Sequence, residues 1–452
     1  MSFPRYEKYK DSGIEWLSEV PSHWNTKRLR FALQLNPSRG EVSDVDRDTE
    51  VQFLPMEAVG EDGTLVLERT RPLREVDTGY TYFRNGDVTI AKITPCFENG
   101  KGAVMWDLFG GFGFGTTELI VARPLFKETS ADYLHLLFTS SPFRKLGEAA
   151  MYGAGGQKRV PDDFVRNFAI SFPPLPEQRT IAAFLDHETG KIDALVAEQE
   201  KLIGLLKEKR QAVISHAVTK GLDPNARMKD SGLEWLGEVP EGWEVKCIRY
   251  FAEVLRGKFT HRPRNDPDFY DGEYPFIQTG DITGTSKFIT GYKQTLNERG
   301  IAVSKEFPKG TLVMAIAANI GDVAILNFPA YFPDSIVGLV PKKDVDLNFL
   351  YFLMIAMKQP MLRNATISTQ MNLNTDQICS LIAACPSRSE QKEIIGFLNN
   401  ETAKIDALIE EAKKAIELMK ERRTALISAA VTGKIDVRGY LSSETQRSGT
   451  NG

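Results

Sequence analysis

Two segments of this chain are written twice, and that duplication limits the fold more than any other feature. Residues 10–30, KDSGIEWLSEVPSHWNTKRLR, return as residues 229–249, KDSGLEWLGEVPEGWEVKCIR, with thirteen of twenty-one positions identical at an offset of 219. The segment EQRTIAAFLDHETGKIDALVAEQ from Glu177 likewise returns as EQKEIIGFLNNETAKIDALIEEA from Glu390, at an offset of 213. This second match continues through KEKRQAVISHAVT (Lys207–Thr219) and KERRTALISAAVT (Lys420–Thr432). Each half therefore has constant ends and a middle that differs in length and sequence.

The second repeated segment reads as a long helix in each half, from about Glu177 to Thr219 and from about Glu390 to Thr432. Pro176 suits the first turn of one, Ser389 is a plausible N-cap for the other, and glycine follows both, at Gly221 and Gly433. At roughly 1.5 Å per residue each would be on the order of 65 Å long, too long to be buried in one small domain. Apolar residues recur at three- and four-residue steps: Ile181, Leu185, Ile192, Leu195, Leu202, Leu206 and Val213, then Ile394, Leu398, Ile405, Leu408, Ala412, Ala415, Met419 and Leu426. Matching heptad seams predict a coiled coil. Only Lys220–Met228 separate the first helix from the second half, so the second helix must run back, antiparallel to the first. Charge agrees with that direction. A parallel pairing sets Glu188 beside Glu401 and Lys209 beside Arg422, whereas an antiparallel register sets Glu188 against Arg422 and Lys209 against Glu401. The latter register is predicted.

The middles read as mixed α/β domains. Strand-like runs occupy comparable places in both halves: Gly86–Ile93 with Gly310–Ala317, and Thr116–Pro124 with Asp334–Lys342. A helical run follows in each, Ala131–Ser140 and Leu347–Met357, and then a loop, GAGGQKRVP or TISTQMNLN, in which Gln157 and Gln370 align. The predicted organisation is a first globular domain over 1–173, a helix over 174–221, a second domain over 222–386, a second helix over 387–435, and a polar tail over 436–452. The glycine-rich loops GGFGFGTT and GAGGQKRV fit neither the P-loop nor the dinucleotide pattern, so tight turns are expected there. Trp16, Trp24, Trp235 and Trp243 lie in the repeated leading segments, where docking onto a helix or onto the domain itself is expected rather than base stacking.

No stretch approaches the roughly 18 apolar residues that span a bilayer, and MSFPRYEKYK has no apolar signal core. Cys96, Cys247, Cys379 and Cys385 show no C-x-x-C spacing, which suggests reduced thiols and no zinc site. A cytoplasmic protein without membrane attachment is expected. A net charge of −4 and a pI near 5.9 speak against a simple nucleic-acid binder.

The residues that repeat resemble the specificity subunit of type I restriction-modification enzymes. The resemblance is carried by K-D-S-G-x-E-W-L-x-E-V-P-x-x-W in both halves, by I-T-P-C-F-E-N-G-K (Ile93–Lys101), and by P-P-L-P-E-Q (Pro173–Gln178) opening a long helix. The second half departs from the last pattern with CPSRSEQ. The resemblance implies two target-recognition domains, each reading one half of a split double-stranded DNA sequence, with the helix pair as the spacer between them. It also implies two methyltransferase subunits that bring S-adenosylmethionine, and restriction (translocase) subunits in the full assembly. Affinity shared with such partners accommodates the acidic balance of this chain.

Candidate DNA contacts follow from chemistry and from position in the repeat: Lys92, Thr94, Lys101, Gln157, Lys158 and Arg159 in the first domain, and Lys258, Arg262, Arg264, Gln278, Asn319, Gln370 and Asn372 in the second. Arginine suits guanine, and asparagine or glutamine suits adenine, because each can make two hydrogen bonds to one base edge. An enzyme reading finds no site. There is no Walker lysine, no H-E-x-x-H, no metal-spaced His/Cys cluster and no Asn-Pro-Pro-aromatic tetrapeptide, and none of the five histidines recurs in the other half. No catalytic residue, metal or cofactor is expected on this chain. A protein–protein scaffold built on the coiled coil is the alternative.

Overall fold

A computed structural model describes residues 3–154, 156–364 and 373–440. The chain forms two compact units, Met1–Gln199 with Lys414–Gly452, and Glu200–Lys413. Each joins one mixed α/β domain to stretches of two long helices, Leu175–Lys220 and Arg388–Val431.

The two domains share one topology. In the first, Leu33–Leu35, Leu119–Pro124, Val88–Ala91 and Gly102–Val104 form one sheet in that order, and Thr70–Pro72, Glu50–Leu54, Phe112–Gly115 and Thr81–Arg84 form another. The second repeats the first of these sheets as Ala252–Arg256, Ile336–Pro341, Leu312–Ala315 and Val323–Leu326, and adds Phe288–Ile289 at its edge. Its other sheet runs Gln294–Leu296, Tyr270–Phe276, Ala330–Tyr331 and Glu306–Phe307. The central strands are wholly buried, which is why they read as near-continuous apolar runs. GGFGFGTT is a turn only at its start, where Gly110 and Gly111 take left-handed φ values of 71° and 80°. Its Phe112–Gly115 is a strand pressed so closely on Glu50–Leu54 that a side chain at Gly113 or Gly115 would strike a backbone oxygen at 2.6 Å.

A helix then covers each buried sheet, Ala131–Thr139 in one domain and Leu347–Ala356 in the other. Ser130 and Asp346 cap their N-termini by accepting backbone N–H bonds. The long helix of the second unit begins with a capping box in which Ser387 and Glu390 bond each other's backbone N–H, so the cap is Ser387 and not Ser389.

The repeated leading segments dock on helix ends. Trp24 is fully buried and its indole N–H donates to Glu177 Oε1 at 3.0 Å, and Trp243 donates to Glu390 Oε1 at the same distance. Gln178 and Gln391, both without exposed surface, each hydrogen-bond the carbonyl two residues before the helix, Pro173 and Pro386, and backbone groups of the loop before the covering helix. The repeated Glu-Gln is thus a joint between helix and domain. Gly433 ends the other helix in a left-handed turn, φ 72°, flush against Pro21 and the Trp24 ring.

Within each unit the helix stretches pair antiparallel. In the first unit Ile181, Phe184 and Leu185 share a core with Leu426, Ile427, Ala430 and Val431. In the second, Leu206 packs with Ile405 and Ile409, while Ile214 and Val218 share a core with Ile394 and Leu398. The predicted polar register is corrected. The cross-helix ion pairs are Asp193–Arg423, 3.0 Å, and its repeat-equivalent Arg210–Asp406, 2.8 Å. Glu188 instead bonds Lys191 and Tyr440, Glu401 bonds Lys404, and Lys209 and Arg422 lie on exposed helix faces. The apolar seam shifts with the register. Leu195, Leu202 and Leu408 are 42–50 % exposed, and the adjacent Ile203 and Ile409 face inward in their place.

One difference between the units has a measurable consequence. In the first unit His135 lines a cavity of about 560 Å³ with Arg179, Arg423 and four aspartates, and its Nδ1 is sealed from solvent without a partner. In the second unit Tyr351 occupies the matching helix position and donates to the Ser286 carbonyl at 2.7 Å. Burial, assisted by the charges of Arg144 and Arg423, lowers the His135 pKa to about 4. Because this lies below the value near 6.5 of an unfolded histidine, the native state binds fewer protons across that interval. Its contribution is intact above pH about 6.5 and is lost as pH falls to about 4, a change on the order of 2–3 kcal/mol. Urea midpoints against pH should show this loss in wild type and a flatter profile in His135→Phe; parallel profiles contradict it.

Candidate nucleic-acid interface

In the first domain, four candidate contact residues are brought together by backbone pairing at the end of the Val88–Ala91 strand. Ile93 and Arg159 form an antiparallel bridge. The Thr94 N–H donates to the Lys158 carbonyl at 3.0 Å, and the Val160 N–H to the Lys92 carbonyl at 2.9 Å. The Lys92 N–H in turn donates to the carbonyl of Glu118, the residue that enters the central strand. Glu118 grips the Arg159 guanidinium on one edge, with Nε and Nη2 both donating, at 2.9 and 2.7 Å for the shorter contacts. That bond holds the Glu118 carboxyl below its ordinary range despite burial, and the Lys92 charge adds to the effect.

Lys92 lines two adjoining hollows. One, of about 250 Å³, also has Asn36, Arg39, Tyr80 and Tyr82 in its wall, and the other, of about 430 Å³, has Tyr152, Arg159, Asp162 and Arg166. Lys92, Arg39, Arg159 and Arg166 outnumber Asp162 and Asp163 in these walls, which gives a modest basic excess flanked by tyrosines, groups that meet phosphates and base planes. Gln157 is exposed at its margin in a turn closed by the Ala154 carbonyl. Lys101 spends its ammonium on the Met56 carbonyl at 3.2 Å and serves the loop.

The second domain divides its candidates between two patches. Asp334, just before the central strand Ile336–Pro341, pairs with Arg264 and, at 3.5 Å, with Arg262. Arg256 Nε donates to the Asp334 carbonyl at 2.9 Å, and the exposed Lys258 lies beside this group, its N–H on the Phe332 carbonyl. Elsewhere Gln278 caps Thr279–Thr283 and donates to Gln294 Oε1 at 2.9 Å. Asn319 donates to the Thr283 hydroxyl at 2.9 Å, which donates to Asp322. Gln370 and Asn372 lie outside the described residues.

Sequence reasoning missed Arg39, Tyr80, Tyr152, Arg166 and Arg256, and above all the acids Glu118 and Asp334. Tyr80 and Tyr152 lie outside regular elements, Arg39 and Arg166 in short helical turns and Arg256 at a strand end, where nothing local marks them, and the two acids are not donors to DNA but hold the donors in place. Among the described residues no group of three or more His, Cys, Asp or Glu could hold a metal ion, and no helix is long and apolar enough to cross a membrane.

Residues 72–202 and 240–418 match the family described as type I restriction modification DNA specificity domain. Among curated proteins, the EcoAI specificity subunit of Escherichia coli is 42% identical over 189 residues, which is 41% of this chain and 31% of that protein. The EcoEI specificity subunit of the same organism is 39% identical over the same shares, so the chain spans about a third of the length of these two relatives. A type I specificity subunit of Methanocaldococcus jannaschii, MjaX, is 23% identical over 97% of this chain and 99% of its own length. Among solved structures, a chain from work on type I R-M complex assembly and conformational transition superposes with TM-score 0.73 at 17% identity, over 91% of this chain and 98% of that one. The HsdS subunit from Thermoanaerobacter tengcongensis gives 0.53 over 92% and 98%, also at 17% identity, a likeness of fold.

Proposed function

The chain belongs to the type I restriction modification DNA specificity family, and from that premise we propose that each of its two domains reads one half-site of a split, asymmetric double-stranded DNA target. One observation carries this reading. Just before the central strand of a shared sheet each domain holds arginine side chains on an acidic residue, Arg159 on Glu118 in one and Arg262 with Arg264 on Asp334 in the other, while the surrounding sequences diverge. Common scaffolding with different donors is what two readers of different sequences require.

The chain itself does no chemistry in this proposal. Two methyltransferase subunits carry S-adenosylmethionine, and restriction (translocase) subunits complete the assembly in the cytoplasm. The helices support two-fold docking of that kind. Leu195 and Leu418 of the first unit, and their repeat-equivalents Leu408 and Leu205 of the second, stay 49–65 % exposed although apolar. Two matching apolar surfaces suit two copies of one partner.

The test is selection from a random duplex library by the full chain assembled with its methyltransferase subunits. A split motif with a fixed gap is expected, and no enrichment sinks the proposal in favour of a protein scaffold. The spacer role makes its own prediction. Inserting one heptad into each long helix adds roughly 10 Å of length, about three base pairs at 3.4 Å each. The selected gap should grow by about that amount with both half-sites unchanged; an unaltered gap contradicts the role.

A further inference from the structure

Resting on that DNA-reading proposal, we infer that Glu118 and Asp334 are specificity-determining positioning residues, each fixing one arginine so that the far edge of its guanidinium is presented to a guanine.

The geometry is specific in the first domain. Glu118 takes the Nε and Nη2 edge of Arg159, and Nη1 makes no hydrogen bond among the described residues. The guanidinium is planar, so gripping one edge fixes the plane and direction of the other. The free edge, formed by Nη1 and the second Nη2 hydrogen, offers two parallel N–H groups, the pattern that matches guanine O6 and N7. Glu118 is itself placed by the sheet, since its carbonyl accepts the Lys92 N–H and it directly precedes the central strand Leu119–Pro124.

The second domain also places an acid-held arginine before this strand, drawn from a different loop and held through a single nitrogen. The Ile316 N–H donates to the Ser335 carbonyl as the Lys92 N–H does to Glu118, so Ser335 is the counterpart of Glu118 and Asp334 sits one residue earlier. Asp334 engages Nη2 of both Arg262 and Arg264. Arg262 is a strut, because its Nη1 is committed to the carbonyls of Phe259 and His261 at 2.8 and 2.7 Å. Arg264 is then the reader, held by Asp334 and with its remaining donors free of partners among the described residues. An acid in this place does a second thing. It repels phosphate, so the arginine gains nothing by sliding onto the DNA backbone and is reserved for a base edge. Two diverged copies that each keep an acid-held arginine just before the central strand, through different residues, argue for function over chance pairing.

The experiment is the duplex selection with the full chain and its methyltransferase subunits, read position by position. Glu118→Ala should lower the preference at one G·C pair of one half-site by roughly tenfold or more, the discrimination a bidentate pair supplies. The other positions and the other half-site should be unchanged. Glu118→Gln, which keeps one acceptor, should retain an intermediate preference. Arg159→Lys should lose the same position as Glu118→Ala, and combining the two should lose no more. Asp334→Ala and Arg264→Lys should do the same in the opposite half-site. Retention of every base preference in Glu118→Ala overturns the inference, as does an equal loss at all positions of one half-site in a variant with wild-type urea stability. If Glu118→Ala unfolds its unit, Asp334→Ala decides by the same criteria. A wild-type chain that selects no motif fails the DNA-reading proposal itself, and that outcome is distinct from a motif indifferent to the two acids.

Discussion

Replacing Glu177 by alanine should destabilise the first unit by about 3–5 kcal/mol, because it strands several buried donors at once. The Glu177 side chain is almost fully buried. It accepts the Tyr6 hydroxyl at 2.8 Å and the Trp24 indole at 3.0 Å on one oxygen, and meets His23 Nε2 at 2.7 Å on the other. Each orphaned donor costs roughly 1–3 kcal/mol in desolvation that is no longer repaid. Burial, the largest cause of the raised Tyr6 pKa, persists without Glu177 and opposes relief of the loss by ionisation. The second unit supplies an internal control. Among the described residues Glu390 meets only Trp243 and Ser387, in a more open setting, so Glu390→Ala should cost about 1–2 kcal/mol. Urea unfolding of the full chain checks both values, and equal losses for the two variants contradict the assignment.

Asp87→Ala should have an effect of comparable size and should disable reading by the first domain alone. Arg123, 8 % exposed, lies bidentate on the fully buried Asp87 at 2.7 and 2.8 Å, with its third nitrogen on Glu41. Removing one partner of such a pair leaves a buried charge and costs about 3–5 kcal/mol, although the intact pair contributes little net stability. Glu41 also accepts from Tyr82 and Arg84. The network therefore ties the segment that carries Arg39 to the sheet beside Lys92, and its loss should abolish the first half-site while the second is still selected. The second unit places Thr311 and Val340 at these strand positions. A double replacement, Asp87→Thr with Arg123→Val, should accordingly recover most of the stability that Asp87→Ala loses. No recovery in that cycle contradicts the account.

The repeated ends of the chain were the legible part. Their duplication announced two copies of one construction, and Gly86–Ile93, Thr116–Pro124 and Ala131–Ser140 read as strands and helix because burial on both faces leaves long apolar runs. What sequence left open was a choice between near-equal neighbours. Leu202 beside Ile203 and Leu408 beside Ile409 offer two seams of similar apolarity, and only the partner helix decides between them. The ion pairs followed suit. Glu188 and Lys209 carry the right charges, but Asp193 and Arg210 hold the positions that meet Arg423 and Asp406. Phe112–Gly115 hid as a strand because its glycines, which usually mark turns, here admit a neighbouring backbone. At the interface Lys92, Thr94, Lys158 and Arg159 converge through pairing of segments some sixty residues apart, and the acids that orient the arginines carry no local pattern.

In the proposed reading this chain assigns DNA targets by two independent readers held at a fixed separation. Methylation mapping of the host genome with and without its gene tests this assignment. One bipartite, asymmetric motif with a constant gap is expected, methylated only when the gene is present. Identical methylation in the two genomes, or a single uninterrupted motif, would contradict it.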